Sequence, residues 1–158
     1  MNKYIMGAVI LVAVLILASY GLSNKEVENT PEVSSAITVL EPSFNFGDID
    51  IFGGKVQTAY TLKNDGGEDV RILSAVTSCM CTEGEIGGLV FGMHESSGKT
   101  VVIPAGGEET LTATFDPLAH GPDATGKITR ELFLKTNSTA TPEIKVTFTG
   151  NVVKNATK

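Results

Sequence analysis

From Ile37 onward, apolar and polar side chains alternate in short runs punctuated by Gly, Pro, Asn and Asp, the pattern of half-buried strands joined by turns. Ile37-Thr38-Val39-Leu40 opens the series and Pro42 closes that run. Phe44 and Phe46 share a face before Gly47, and Gly53-Gly54 marks a turn. Within residues 56–62, Val56, Tyr60 and Leu62 point one way. Asn64-Asp65-Gly66-Gly67 offers residue types that tolerate positive φ, which predicts a hairpin. Residues 70–76 form the next strand and run straight into Cys79 and Cys81.

Two stretches break the rhythm. Residues 83–100 contain glycines at 84, 87, 88, 92 and 98 and read as a long loop, a place where function often sits. Residues 116–126 read as a second loop, which includes His120-Gly121-Pro122. Between and after them the alternation returns. It covers residues 100–103, then Leu111, Ala113 and Phe115 against Thr110, Thr112 and Thr114. Ile128, Leu132 and Leu134 follow, and finally Ile144, Val146, Phe148 and Val152. The prediction is an all-β domain over residues 36–154, an antiparallel immunoglobulin-like sandwich of about seven to eight strands. Cys79 and Cys81 are too close in sequence to pin two sheets together as the disulfide of antibody domains does.

The beginning of the chain follows a different pattern. Residues 4–22 carry no charge, and a helix of that length would span roughly 28 Å, close to the hydrocarbon thickness of a bilayer. Lys3 precedes this run, whereas Lys25 after it is followed by Glu26 and Glu28, a balance that places the bulk of the chain outside the cytoplasm. Residues 1–23 therefore read as one N-terminal hydrophobic helix, either a single-pass membrane anchor or a signal peptide cut after Gly21. The first reading gives a membrane protein with its domain extracytoplasmic, and the second a secreted or periplasmic one. Residues 24–35 are polar and read as a flexible tether, and residues 155–158 as a tail.

Composition narrows the function. The 158 residues carry a formal net charge of −6, with Lys and Arg scattered singly, so no nucleic-acid partner is expected. Asp48, Asp50, Asp65, Glu68 and Asp69 lack the spacing of a calcium loop and read as a solvated acidic surface. There is no nucleophile elbow, and the glycosylation triplets at Asn137 and Asn155 carry little weight.

The order of motifs resembles a known family. Phe44-Asn45-Phe46-Gly47-Asp48-Ile49, Tyr60-Thr61-Leu62-Lys63-Asn64-Asp65-Gly66, Ser78-Cys79-Met80-Cys81-Thr82, Ile103-Pro104-Ala105-Gly106-Gly107, Phe115-Asp116-Pro117 and Phe148-Thr149-Gly150-Asn151-Val152 are similar to the bacterial domain of unknown function 1573. The resemblance runs from about Ile37 to Val153 and implies an immunoglobulin-like fold related to major-sperm-protein-like modules, in exported bacterial proteins. It supplies no activity. The chain departs from the family pattern at Met80, where Gly is common, and in a longer stretch over residues 83–99.

The candidate chemistry lies at Cys79 and Cys81, the only cysteines. Residues i and i+2 of an extended strand point to the same side, so the two sulfurs would be presented together. Three readings stand. In the first the pair binds Cu(I) or Zn(II), with Met93, His94 or His120 from the two loops completing the set. In the second the pair is a disulfide or an exchanging dithiol. In the third the cysteines are small packed residues at a strand end and the two histidines are ordinary loop residues. No enzymatic activity is expected. The leading expectation is an exported, membrane-tethered module that binds a protein or another cell-envelope component. The copper, zinc or thiol-redox reading is the alternative, and no cofactor is otherwise implied.

Overall fold

The computed structural model describes residues 30–155 except 95, 97 and 98. The expected N-terminal helix, the first part of the tether and the last three residues of the tail lie outside the described residues. Among those described, no helix is long and apolar enough to cross a membrane.

Among the described residues ten strands form two five-stranded sheets, which belong to the unit Pro31–Lys158. In chain order they are β1 (Ile37–Val39), β2 (Ser43–Asp50), β3 (Val56–Asn64), β4 (Val70–Thr77), β5 (Thr82–Ile86), β6 (Leu89–Phe91), β7 (Val101–Ile103), β8 (Glu108–Phe115), β9 (Gly126–Thr136) and β10 (Glu143–Val153). One sheet has the order β1-β3-β8-β5-β6 and the other β2-β10-β9-β4-β7. All neighbours are antiparallel except β2 and β10, which run parallel. The expected all-β sandwich is present, but with ten strands among the described residues rather than seven to eight, and with one parallel pair at an edge rather than a wholly antiparallel arrangement. In that pair Gly47, at φ 67°, is the extra residue of a bulge, its N–H turned to Asn45 Oδ1 at 2.9 Å.

The core forms because the alternation places one side of each strand inward. Leu62 and Leu111 from the first sheet and Leu132, Leu134 and Val146 from the second are fully buried. Phe148 of β10 packs against Phe115 of β8 with ring centroids 5.8 Å apart, which closes the gap between the sheets. Tyr60 of β3 crosses the same gap and donates its hydroxyl to the Thr147 carbonyl of β10 at 2.9 Å. Burial pushes this phenol up to about 12. The folded state thus favours the neutral form. Its contribution is complete below the unfolded value near 10 and is lost as pH rises toward 12. Alkaline unfolding should therefore be steeper in the wild type than in Tyr60→Phe between pH 10 and 12, by about 2–3 kcal/mol in total. Equal slopes in urea titrations at those pH values would contradict it.

Three further features of the chain path differ from the sequence expectation. The first half of the loop expected over residues 83–100 is a hairpin of β5 and β6, and among the described residues no further strand follows until β7. Gly87 and Gly88 have φ 53° and 77°, the conformation of a two-residue hairpin turn. Gly84 sits directly under the Phe91 ring, where a Cβ would collide with it. Conversely, Asn64 to Gly67 is not a hairpin, because β3 and β4 lie in different sheets. The fully buried Asn64 side chain shapes this crossover instead. Its Nδ2 donates to the carbonyls of Glu68 at 2.8 Å and Ile103 at 3.0 Å, and its Oδ1 accepts from Gly66 N at 3.0 Å.

The third difference concerns the tether. Residues 31–35 lie along the sandwich, with Val33 N donating to Asn137 O at 3.0 Å and Thr139 N donating to Val33 O at 2.8 Å. Asn137 Nδ2 donates to Pro31 O, and Ser138 Oγ donates to Ser35 O, each at 2.6 Å. The Asn137 triplet is thus a structural clasp, buried at both Asn137 and Ser138.

Candidate functional site

The two cysteines sit in the corner where the chain leaves β4 in one sheet and enters β5 in the other. A bulge in β4 sets up this corner. Between Ile72 and Ser74 the register slips by one residue against β9, so the inward face changes from Val70 and Ile72 to Ala75 and Thr77. The Thr77 side chain consequently points into the corner. Its buried hydroxyl shares one proton between the carbonyl oxygens of Cys79 at 3.0 Å and Thr82 at 3.1 Å.

Backbone bonds anchor the corner on both sides. Ser78 N donates to Glu131 O of β9, and Glu131 N donates back to Ser78 Oγ, each at 2.9 Å. Asp116 N, just past β8, donates to Cys81 O at 2.9 Å. Replacing Thr77 by Val keeps the shape and leaves buried carbonyls short of a donor, at a cost of about 1–3 kcal/mol. Thr77→Ser should retain most of the stability, and thermal unfolding of the two variants separates hydroxyl from volume. Equal losses in both would contradict a role for the hydroxyl.

The corner is a turn, not the extended strand expected, with Thr82 N donating to Cys79 O at 3.1 Å. Cys79 and Cys81 are joined as a disulfide across it, their Cα atoms 5.3 Å apart. Cys81 is buried at 3% exposure, and Cys79 is half-buried. Of the readings open in the sequence, the bridge is the one this geometry contains.

Two cationic or proton-carrying side chains reach the sulfurs. His120 Nε2 lies 3.4 Å from Cys79 Sγ. The loop after β8 delivers it. Asp116 Oδ1 accepts from Leu118 N at 2.9 Å, and Gly121, at φ 92°, donates to Leu118 O at 2.9 Å. This tight turn swings the imidazole back over the corner. Arg130 of β9 donates from Nε to Cys81 Sγ at 3.1 Å. Its guanidinium lies over the Phe115 ring, 5.8 Å from the centroid, and its Nη1 donates to Thr129 O at 2.8 Å. Burial draws Arg130 below its ordinary value, yet a guanidinium stays charged at neutral pH.

The five residues expected at the site thus divide. Cys79, Cys81 and His120 come together, their ligand atoms within 4.8 Å of one another. With the bridge closed neither sulfur is a thiolate, so this trio does not fit Cu(I) or Zn(II) in the oxidised state. Met93 and His94 line a different hollow on the outer face of the second sheet, with Val76, Phe133 and Glu143, and His94 is not part of the trio. Sequence reasoning missed Arg130. Its signal was the register of β9, in which Arg130 falls between Ile128 and Leu132 on the inward side.

Beside the bridge lies an open groove of about 340 Å³, whose lining mixes the charged Lys55, Glu83 and Asp116 with Met80, Cys81, Val90 and Phe91. Met80 and Val90 stand exposed at 69% and 56%. Val90 belongs to β6, which ends its sheet, and Met80 lies in the turn before β5.

The family described as protein of unknown function (DUF1573) matches residues 37–152. Among curated proteins none matches the sequence. The fold is similar to that of a protein of unknown function from Porphyromonas gingivalis W83, at 16% identity and a TM-score of 0.60, over 77% of this chain and 49% of that one. This chain therefore spans about half the length of that protein. It is also similar to part of a family 123 glycoside hydrolase from Clostridium perfringens, at 4% identity and a TM-score of 0.54, over 78% of this chain and 28% of that one. The PapD-like domain 7 of human CEP192 aligns at 15% identity and a TM-score of 0.49, over 85% of this chain and 97% of that one. At these identities the first two likenesses establish the fold alone.

Proposed function

This chain belongs to the DUF1573 family of proteins of unknown function, and we propose that it is an exported, membrane-tethered immunoglobulin-like module of the bacterial cell envelope that works by holding a protein partner. The observation that carries the reading is the groove beside β6. It brings the last strand of a sheet together with the solvent-facing apolar side chains of Met80 and Val90 and the charged Lys55, Glu83 and Asp116. An extended segment of another protein can add a strand to such an edge, with main-chain hydrogen bonds giving affinity and the flanking side chains giving selectivity. Export is supported by the uncharged run over residues 4–22. The closed bridge also supports it, because disulfides persist in oxidising compartments.

The test is a photo-crosslinking residue placed at Val90 of the full-length chain in cells, with one at Leu73 as control. Leu73 is also exposed but lies on β4 in the other sheet. The reading predicts a discrete protein adduct from Val90, absent from Leu73 and lost when Met80→Glu is added. No adduct at Val90, or the same adducts from both positions, contradicts it.

A further inference from the structure

We propose that the Cys79–Cys81 bridge is a thiol–disulfide exchange site with a fixed polarity, in which an external dithiol attacks Cys79 and Cys81 leaves as a thiolate received by Arg130. The proposal stands independently of the groove, since it rests on the bridge and the two side chains that flank it.

Access sets the polarity. Cys79 is half-buried and lies beside the exposed His120, whereas Cys81 is only 3% exposed, at the floor of the groove. A nucleophile from solvent meets the first more readily. Displacement at one sulfur needs the other to carry away an electron pair, and a lower-pKa leaving thiol leaves faster. The Arg130 Nε–H already points at Cys81 Sγ, and Phe115 and the Thr129 carbonyl hold the guanidinium in place. A fixed cation in a partly dry site stabilises a neighbouring thiolate more than it would in water. A bridge serving only as a staple would not need a charge on its buried sulfur.

His120 Nε2 takes the proton of the first external thiol, and the resulting thiolate attacks Cys79 Sγ. A new sulfur–sulfur bond to Cys79 forms as the Cys79–Cys81 bond breaks, and the electron pair departs on Cys81 Sγ beside Arg130. The second thiol of the same dithiol then attacks its own partner sulfur in the mixed disulfide and closes the external disulfide. Cys79 is released and takes back the proton held on His120, while the proton of the second thiol passes through solvent to Cys81. The Cys81 N–H, 3.3 Å from Cys79 Sγ, stabilises the departing Cys79 sulfur. The dithiol loses two electrons and two protons, and the chain gains them as two thiols.

The test uses the oxidised full-length chain and reduced glutathione, a monothiol whose mixed disulfide is trapped by quenching early, before a second glutathione or Cys81 resolves it. After acid quenching, peptide mapping should find glutathione on Cys79 with Cys81 free. Arg130→Gln should slow the release of Cys81 by about tenfold. In the reduced chain, thiolate absorbance should show the Cys81 thiol titrating below about 8.5 and rising in Arg130→Gln, with Arg130→Lys between the two. A merely structural Arg130 would leave that titration where it is. Glutathione found on Cys81, a bridge that opens only when the chain is unfolded, or rates within twofold in Arg130→Gln would each overturn the proposal. The mapping uses no variant, so the polarity is tested even if Arg130→Gln does not fold.

Discussion

Phe148→Ala is expected to destabilise the fold by about 3–5 kcal/mol, among the largest effects available from one side chain. Phe148 is fully buried on β10 and touches aromatic rings on both sides. The Phe115 ring centroid is 5.8 Å away and that of Phe46 is 5.5 Å away, the latter nearly perpendicular. Edge-on ring pairs of this kind add to the burial energy itself. Truncation would open a cavity midway between the sheets, and two sheets locked by their other strands cannot collapse to fill it. Phe115 also carries the Arg130 guanidinium, so the cavity would loosen the corner as well as the core. Phe148→Leu retains most of the volume and should cost well under half as much. Urea unfolding checks both, with a lower midpoint and an unchanged slope expected in each variant.

Asn64→Asp should be comparably damaging, for an electrostatic reason. The change is nearly isosteric, but it exchanges the Nδ2 that donates to the Glu68 and Ile103 carbonyls for an oxygen that repels them. A carboxylate there would be a buried, unpaired charge, with a penalty of about 3–5 kcal/mol. The carboxyl can avoid part of this by staying protonated, which raises its folded pKa above the unfolded value near 3.9. Stability of the variant should therefore be best below about pH 4 and fall as pH rises through the raised value. The wild type has no such titration at this position. Thermal unfolding of the two chains from pH 3 to 7 tests it, and parallel curves would contradict the assigned hydrogen bonds.

Both positions bear on what could be read from the sequence. Leu111, Ala113 and Phe115 alternate so regularly that their inward face was plain, and Phe148 belongs to a similar series on β10. The same periodicity could not reveal that β3 and β4 part into different sheets at Asn64. That depends on a buried amide finding a carbonyl 39 residues away, a contact with no local signature. The β5–β6 hairpin was hidden by its own glycines. Glycine density suggested a loop, whereas Gly87 and Gly88 make a two-residue turn and Gly84 makes room for the Phe91 ring. Both uses exploit the missing Cβ.

The site was legible in part for the same reasons. Position and spacing singled out Cys79 and Cys81, and chemistry nominated the histidines. Only the fold separates His120, carried to Cys79 by the Asp116 turn, from His94, which lies with Met93 over Val76 and Phe133. Arg130 was available from the alternation alone, as a cation on the inward side of an apolar strand. The bulge after Ile72, which aims Thr77 at the corner, leaves no mark in the hydrophobic pattern that differs from a loosely alternating strand.

The central claim is that the corner between β4 and β5 is closed by a Cys79–Cys81 bridge in the native chain. Intact mass after alkylation tests it most directly, on the full-length chain isolated without reductant and alkylated in denaturant before and after reduction. No alkylated cysteine before reduction, no disulfide-linked dimer and two alkylated cysteines afterwards are expected. Two alkylated cysteines in the unreduced chain would contradict it, and with it the exchange chemistry assigned to Cys79, Cys81 and Arg130.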